Sequence, residues 1–312
     1  MTKIAYFCKL GCLLIVGVFV NQSAWGESFI YIGRSPLKWD VSVDLSYWQT
    51  EGDFKMSGQF PSPSNSWEIV HPLDSSLLIS RFRLRMGDYP SPYFVGLSIG
   101  QGMIDTGNTR DTDWNSSKQM TDLVYSTSQG RTAFSGYSLN YQFVNMDDGT
   151  LDAVIKFTDH KIVAEYSDAS VVMSSGLPDN RTFPGKWLSY EMDYSGIEFG
   201  LEGTFMPAFN IGIEGSFGYA PFVTGEYSGQ RWPFSSPPVP ALKESIISRG
   251  YSFNYELSLQ FKPVSYFGVQ GGFRYLKYHT VGEDQEGTSW AGSREHLDAD
   301  FKGMTLNAVM SF

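Results

Sequence analysis

Asp111 and Asp113 stand two positions apart in the string Gly107-Asn108-Thr109-Arg110-Asp111-Thr112-Asp113-Trp114. On an extended chain such residues share a face. Two carboxylates held together repel, so one rises in pKa and the pair can hold or orient a water. An Asx-rich turn capping a strand is the other reading of the same residues. A base that is neutral near pH 7 must come from His71, His160, His279 or His296, the chain's four histidines. His279 falls at the loop end of a predicted strand and His296 in the last long polar segment, so these two are the candidates for a base working beside the aspartates. His296, Asp298 and Asp300 have metal-ligand chemistry, but a polar segment entering a final strand accounts for their spacing. Phosphate-binding loops, serine-hydrolase elbows and zinc-peptidase helices are all missing from the chain. The reading therefore carries no metal and no organic cofactor.

Alternating strands must position these groups. Tyr251, Phe253, Tyr255, Leu257, Leu259 and Phe261 interleave with Ser252, Asn254, Glu256, Ser258, Gln260 and Lys262. The same period of two runs through Trp39–Tyr47, Tyr137–Phe143 and Met304–Phe312. Approximate strands fall at 37–49, 76–87, 92–105, 131–145, 150–167, 186–206 with a phase slip at Ser195-Gly196, 210–226, 250–262, 266–280 and 299–312. Connections alternate between short (87–92, 145–149, 207–210, 262–264) and long (near 50–75, 106–130, 168–185, 227–249, 281–298). Short turns at one end and long loops at the other, with one whole face of each strand apolar, predict an all-β fold. That fold is a transmembrane antiparallel β-barrel of about ten strands, with short periplasmic turns and long extracellular loops. A soluble sandwich would place short connections at both ends and a polar outer face.

The remaining composition agrees. The 312 residues are 16% aromatic and only 18% charged, and the net charge of −10 argues against general nucleic-acid binding. Lys3, the apolar run Leu13–Val20 and Ala24-Trp25-Gly26 read as a secretory signal over 1–26, leaving 27–312 as the barrel domain. Both cysteines, Cys8 and Cys12, lie in that signal. Arg81, Arg83 and Arg85 line one side of a strand, and Asp40, Asp44, Glu191, Asp193 and Glu256 share the predicted inward phase of others. An acid–arginine network filling a narrow lumen follows, which disfavours a diffusion channel.

The string around Asp111 and Asp113 resembles the second-loop motif of the omptins, outer-membrane endopeptidases on a ten-stranded barrel. Ser75-Ser76-Leu77-Leu78, Phe183-Pro184-Gly185 and Ile213-Glu214-Gly215-Ser216-Phe217-Gly218-Tyr219 are similar to further omptin strings in the same order. The resemblance implies an aspartate pair facing a His–Asp dyad across a water, with Asp111 and Asp113 as the pair. It puts Gly229 at the dyad's aspartate and Arg231 at its histidine, and arginine stays protonated at physiological pH. Omptin proteolysis is therefore expected to be absent, leaving a surface protein that binds or has a structural role through its loops. An active endopeptidase using His279 or His296 is the alternative, and a small channel the second. Phe157, Asp159 and Lys161 resemble the family's lipopolysaccharide triplet, which implies lipopolysaccharide as partner and requirement beside outer-membrane lipid, with a peptide or protein ligand at the loops. Glu51 or Asp53 is the resemblance's candidate for an acidic specificity pocket.

Overall fold

A computed structural model describes residues 40–59, 65–86, 91–146, 148–208, 210–231, 242–284 and 294–312. The predicted signal, 1–26, lies outside them. Thirteen strands follow in order: β1 (Val41–Glu51), β2 (Asp53–Gln59), β3 (Ser66–Pro72), β4 (Ser75–Arg85), β5 (Tyr93–Trp114), β6 (Met120–Met146), β7 (Gly149–Ser174), β8 (Leu177–Pro178), β9 (Thr182–Ala208), β10 (Ile211–Arg231), β11 (Leu242–Val264), β12 (Phe267–Asp284) and β13 (Arg294–Ser311). All pairings are antiparallel, and β13 returns to β1 with Ser311 opposite Ser42, which closes the barrel.

The wall has about ten strands, as expected. β1 and β2 are successive halves of one wall strand, both pairing β13. β3 and β4 are halves of the next, both pairing β5. The break between β1 and β2 falls at Gly52, where a Cβ would sit 2.0 Å from the Asp300 carbonyl oxygen. β8 is a short addition against β7.

Several predicted long loops are strand. β5 continues to Trp114 and β6 begins at Met120, so most of 106–130 is a paired ribbon. The physical reason is environmental. A lipid-facing row must be apolar, so hydropathy alternates there. Above the lipid both faces meet water or protein, the alternation fades, and backbone pairing continues without it.

The facing of β11 is as predicted: Leu257 and Leu259 are 60% and 66% exposed to the outside, while Ser258 between them is 3% exposed. Tyr137, Phe157, Phe199, Phe217, Tyr255 and Leu306 extend this apolar outer belt around the barrel. The phase slip expected at Ser195-Gly196 is not in β9, which pairs β7 without interruption from Tyr166 to Gly149. The irregularity belongs to the facing strand, where β10 bulges between Tyr219 and Phe222.

That difference moves two acids. Glu191 and Asp193 lie between the buried Tyr190, Met192 and Tyr194, so they point outward and pair with Lys161. Glu198 and Glu202 take the inward phase instead, facing Lys156. The rest of the lumen network is as expected. Arg81 reaches Glu256 at 2.7 Å and Asp44 at 3.5 Å, Arg85 reaches Asp40 at 2.7 Å, and Arg83 is bonded to Asp152. Asp44, Arg81, Arg83, Asp152, Lys156, Glu202 and Glu256 line a cavity of about 260 Å³ at the short-turn end. Above it aromatic rings fill the barrel: Tyr194 stacks on Tyr278 at 4.3 Å and His160 lies 4.9 Å from Phe301.

Breaking the Arg83 pair leaves Asp152, 2% exposed, without its cation. Arg83→Ala is expected to destabilise the refolded barrel by about 3 kcal/mol if the carboxylate stays charged, read as a lower denaturant midpoint. Arg83→Lys should recover only part, because the planar fork is lost. A midpoint unchanged in Arg83→Ala would mean the network is not structural.

Candidate functional site

The aspartate pair sits on β5, eight positions beyond the exposed Met103 of the outer belt. At roughly 3.3 Å per residue this is well above the lipid-facing rows. Asp111 and Asp113 lie in the last four residues of β5, which ends at Trp114 rather than near 105 as the sequence suggested. Their shared face is the inner one: Asp111 lies opposite the buried Ile69 and Asp113 opposite Trp67 on β3. On the other flank Asp113 faces Asp122 of β6.

Across the mouth, β10 delivers Arg231. Its guanidinium Nη2 is 3.7 Å from Asp111 Oδ2. The inward phase of β10 runs Tyr227, Gly229, Arg231, and a Cβ on Gly229 would lie 2.5 Å from the Tyr227 hydroxyl. The Tyr227 ring therefore fills the space that a side chain at 229 would need. A cavity of about 110 Å³ lies between the two sides, lined by Met56, Trp67, Asp111, Asp113, Arg231, Glu244, Ile246 and Glu295.

Burial pushes both aspartates up. Asp111 is raised by desolvation, which the Arg231 cation opposes. Asp113 is raised to about 7 by desolvation, then by the Asp111 and Asp122 charges. Between about pH 4 and pH 7 the folded protein thus keeps a proton that the unfolded chain has released, and stability falls as pH rises through that window. Asp113→Asn should flatten the dependence of melting temperature on pH between about 4 and 7. An unchanged slope would show that Asp113 does not titrate there.

The histidines divide differently from the sequence expectation. His279 and His296 both lie on the outer wall, their rings 5.9 Å apart. His279 Nδ1 is 2.5 Å from Asp298 Oδ1, and its ring is 5.1 Å from the outward Tyr251. The intervening Tyr278 and Thr280 take the inward phase. Neither histidine is brought to the Asp111–Asp113 cavity. The inward imidazole nearest the pair in register is His71, whose Nδ1 is 3.3 Å from Thr109 Oγ1, two positions before Asp111. It is 1% exposed, ringed by Phe54, Tyr166 and Tyr190, and burial, then Arg231, lower its pKa to about 3. It does not line the cavity.

Phe157, Asp159 and Lys161 share the outer face of β7, with Phe157 47% exposed. Lys161 is held by Glu191 and, at 3.6 Å, Asp193. Glu51 and Asp53 are exposed and do not line the cavity. Glu244 and Glu295 do line it and went unnoticed in the sequence. Glu244, Ile246 and Ser248 continue the inward phase of Ser252 and Asn254, so extending β11 upward would have found the first.

No family model and no curated protein matches the chain. Among solved structures, the outer-membrane protease OmpT from Escherichia coli matches with a TM-score of 0.69 and 13% identity, over 89% of this chain and 99% of that one. The translocator domain of autotransporter NalP from Neisseria meningitidis reaches 0.35 at 11% identity, over 97% and 98%. The toluene transporter TodX of P. putida reaches 0.32 at 8%, over 89% and 91%. The last two superpose too loosely to carry an argument, and at 13% identity the first speaks for architecture alone. The chain has the fold of an outer-membrane β-barrel, built like that of OmpT.

Proposed function

We propose that this chain is an outer-membrane surface protein that binds a basic peptide-type ligand at its extracellular mouth and does not hydrolyse it. The observation that carries the reading is Arg231 against Asp111, 3.7 Å away, on the wall facing the aspartate pair. Water-mediated peptide hydrolysis needs a group there that can accept a proton near pH 7. A guanidinium cannot. His279 and His296 point outward and His71 is enclosed, so no imidazole replaces it; Asp113, raised to about 7, belongs to the pair that would itself hold the water. Four carboxylates and one guanidinium line the cavity, a balance suited to a ligand cation.

The proposal places the mature chain in the outer membrane after loss of 1–26, with outer-membrane lipid against the apolar belt. Lipopolysaccharide is the proposed partner of the Phe157–Asp159–Lys161 face, although pairing of Lys161 with two acids weakens its attraction for phosphate. The lumen's aromatic filling gives the channel alternative no support.

The test uses refolded protein with lipopolysaccharide and a fluorescent dibasic peptide. Anisotropy should report saturable binding while mass spectrometry finds the peptide intact. Product accumulating with enzyme-like turnover would overturn the proposal.

A further inference from the structure

We propose that Arg231 is an internal occupant of the cavity, an autoinhibitory contact that an incoming guanidinium or ammonium group must displace. This rests on the binding reading above and adds its regulation.

The case begins with how loosely the arginine is held. A guanidinium carries five donors, and a well-seated one makes paired hydrogen bonds to a carboxylate. At 3.7 Å, the contact with Asp111 is an attraction without a hydrogen bond. Nε is buried and has no partner, and no hydrogen bond from this guanidinium to a described residue exists. The Trp187 ring is 5.9 Å from the guanidinium carbon, at the outer limit of a cation–π contact. Compare Arg85 in the lower lumen, which places both Nε and Nη2 on Asp40 at 3.0 and 2.7 Å. The same chain seats Arg85 by a two-point hydrogen bond, and among the described residues Arg231 has no such seat.

Position adds to this. Arg231 is the last residue of β10, and its partner Leu242 is the first of β11. The side chain can swing out of the cavity without breaking the ladder, which is held by backbone groups alone. What it would leave behind is a cavity lined by the carboxyl groups of Asp111, Asp113, Glu244 and Glu295. The group that fits this cavity is the one already in it. A ligand's cation competes with Arg231 for the same carboxylates, so the resting protein is partly closed to it.

Calorimetric titration of the refolded barrel with methylguanidinium, at constant ionic strength, tests the contact. Arg231→Ala should bind at least ten-fold more tightly than the parent, and adding Asp111→Asn should remove most of that gain. Arg231→Lys, which keeps the charge and retains the fold more readily, should fall between them. The fluorescent dibasic peptide is titrated in parallel. Equal methylguanidinium affinity in the parent, Arg231→Lys and Arg231→Ala would overturn the occupant while peptide binding by the parent kept the binding reading alive. Absence of binding of either probe to all of them would sink both.

Discussion

Leu259→Arg is expected to prevent assembly of the barrel, and Ser258→Ala to leave it intact. Leu259 is 66% exposed on the outer face, among Leu257, Phe261 and the cross-strand Ile213, all of them outward and apolar. Hydrocarbon replaces water around this face, and an arginine near the bilayer midplane costs about 2–4 kcal/mol. Ser258, one position away, is 3% exposed and points into the lumen toward Gly272. Its loss removes a hydroxyl from a hydrated polar interior. Folding into lipid vesicles, followed by electrophoretic mobility without heating, separates the two. Equal tolerance at 258 and 259 would mean that the inner and outer faces are reversed.

Sequence alone showed the barrel wall because lipid writes a strict rule onto it. Each row from Tyr251 to Phe261 alternates, and the structure gives that facing back residue by residue. The same rule explains what was missed. Where β5, β6 and β7 rise past the lipid, the outer face is polar too, and a paired strand reads as a loop. Asp111 and Asp113 therefore looked like residues just past a strand, although β5 runs through them and ends at Trp114. Glu191 and Asp193 were misfaced for a related reason: a bulge in β10 was read as a slip in β9. Pairing across the barrel was beyond the sequence, since Arg231 and Asp111 lie on strands separated by the whole lumen. His279 shows the limit most clearly. It has an aspartate partner at 2.5 Å, as a catalytic imidazole should, and only its facing removes it from the cavity.

The refolded protein, supplied with lipopolysaccharide, is expected to leave dibasic peptides uncut. Losing a general base typically removes about 10²–10⁴ in rate, and here a guanidinium stands beside the aspartate pair as well. Any proton taken from a bound water would have to pass to Asp113, raised to about 7, with no imidazole to move it on. Asp111→Asn should accordingly change stability and the seating of Arg231 more than any turnover. Installing the dyad that the omptin resemblance implies should fail as well. A Cβ at 229 meets the Tyr227 hydroxyl at 2.5 Å and its ring carbons at 2.8 and 2.9 Å, and that ring is 1% exposed. Gly229→Asp with Arg231→His is therefore expected to destabilise the barrel mouth before it gains activity, visible as a lower melting temperature without new cleavage. Robust cleavage by the parent, abolished in Asp113→Ala, would defeat this account. Its further loss in His279→Ala or His296→Ala would then show that an outer-wall imidazole reaches the cavity in a state different from this one.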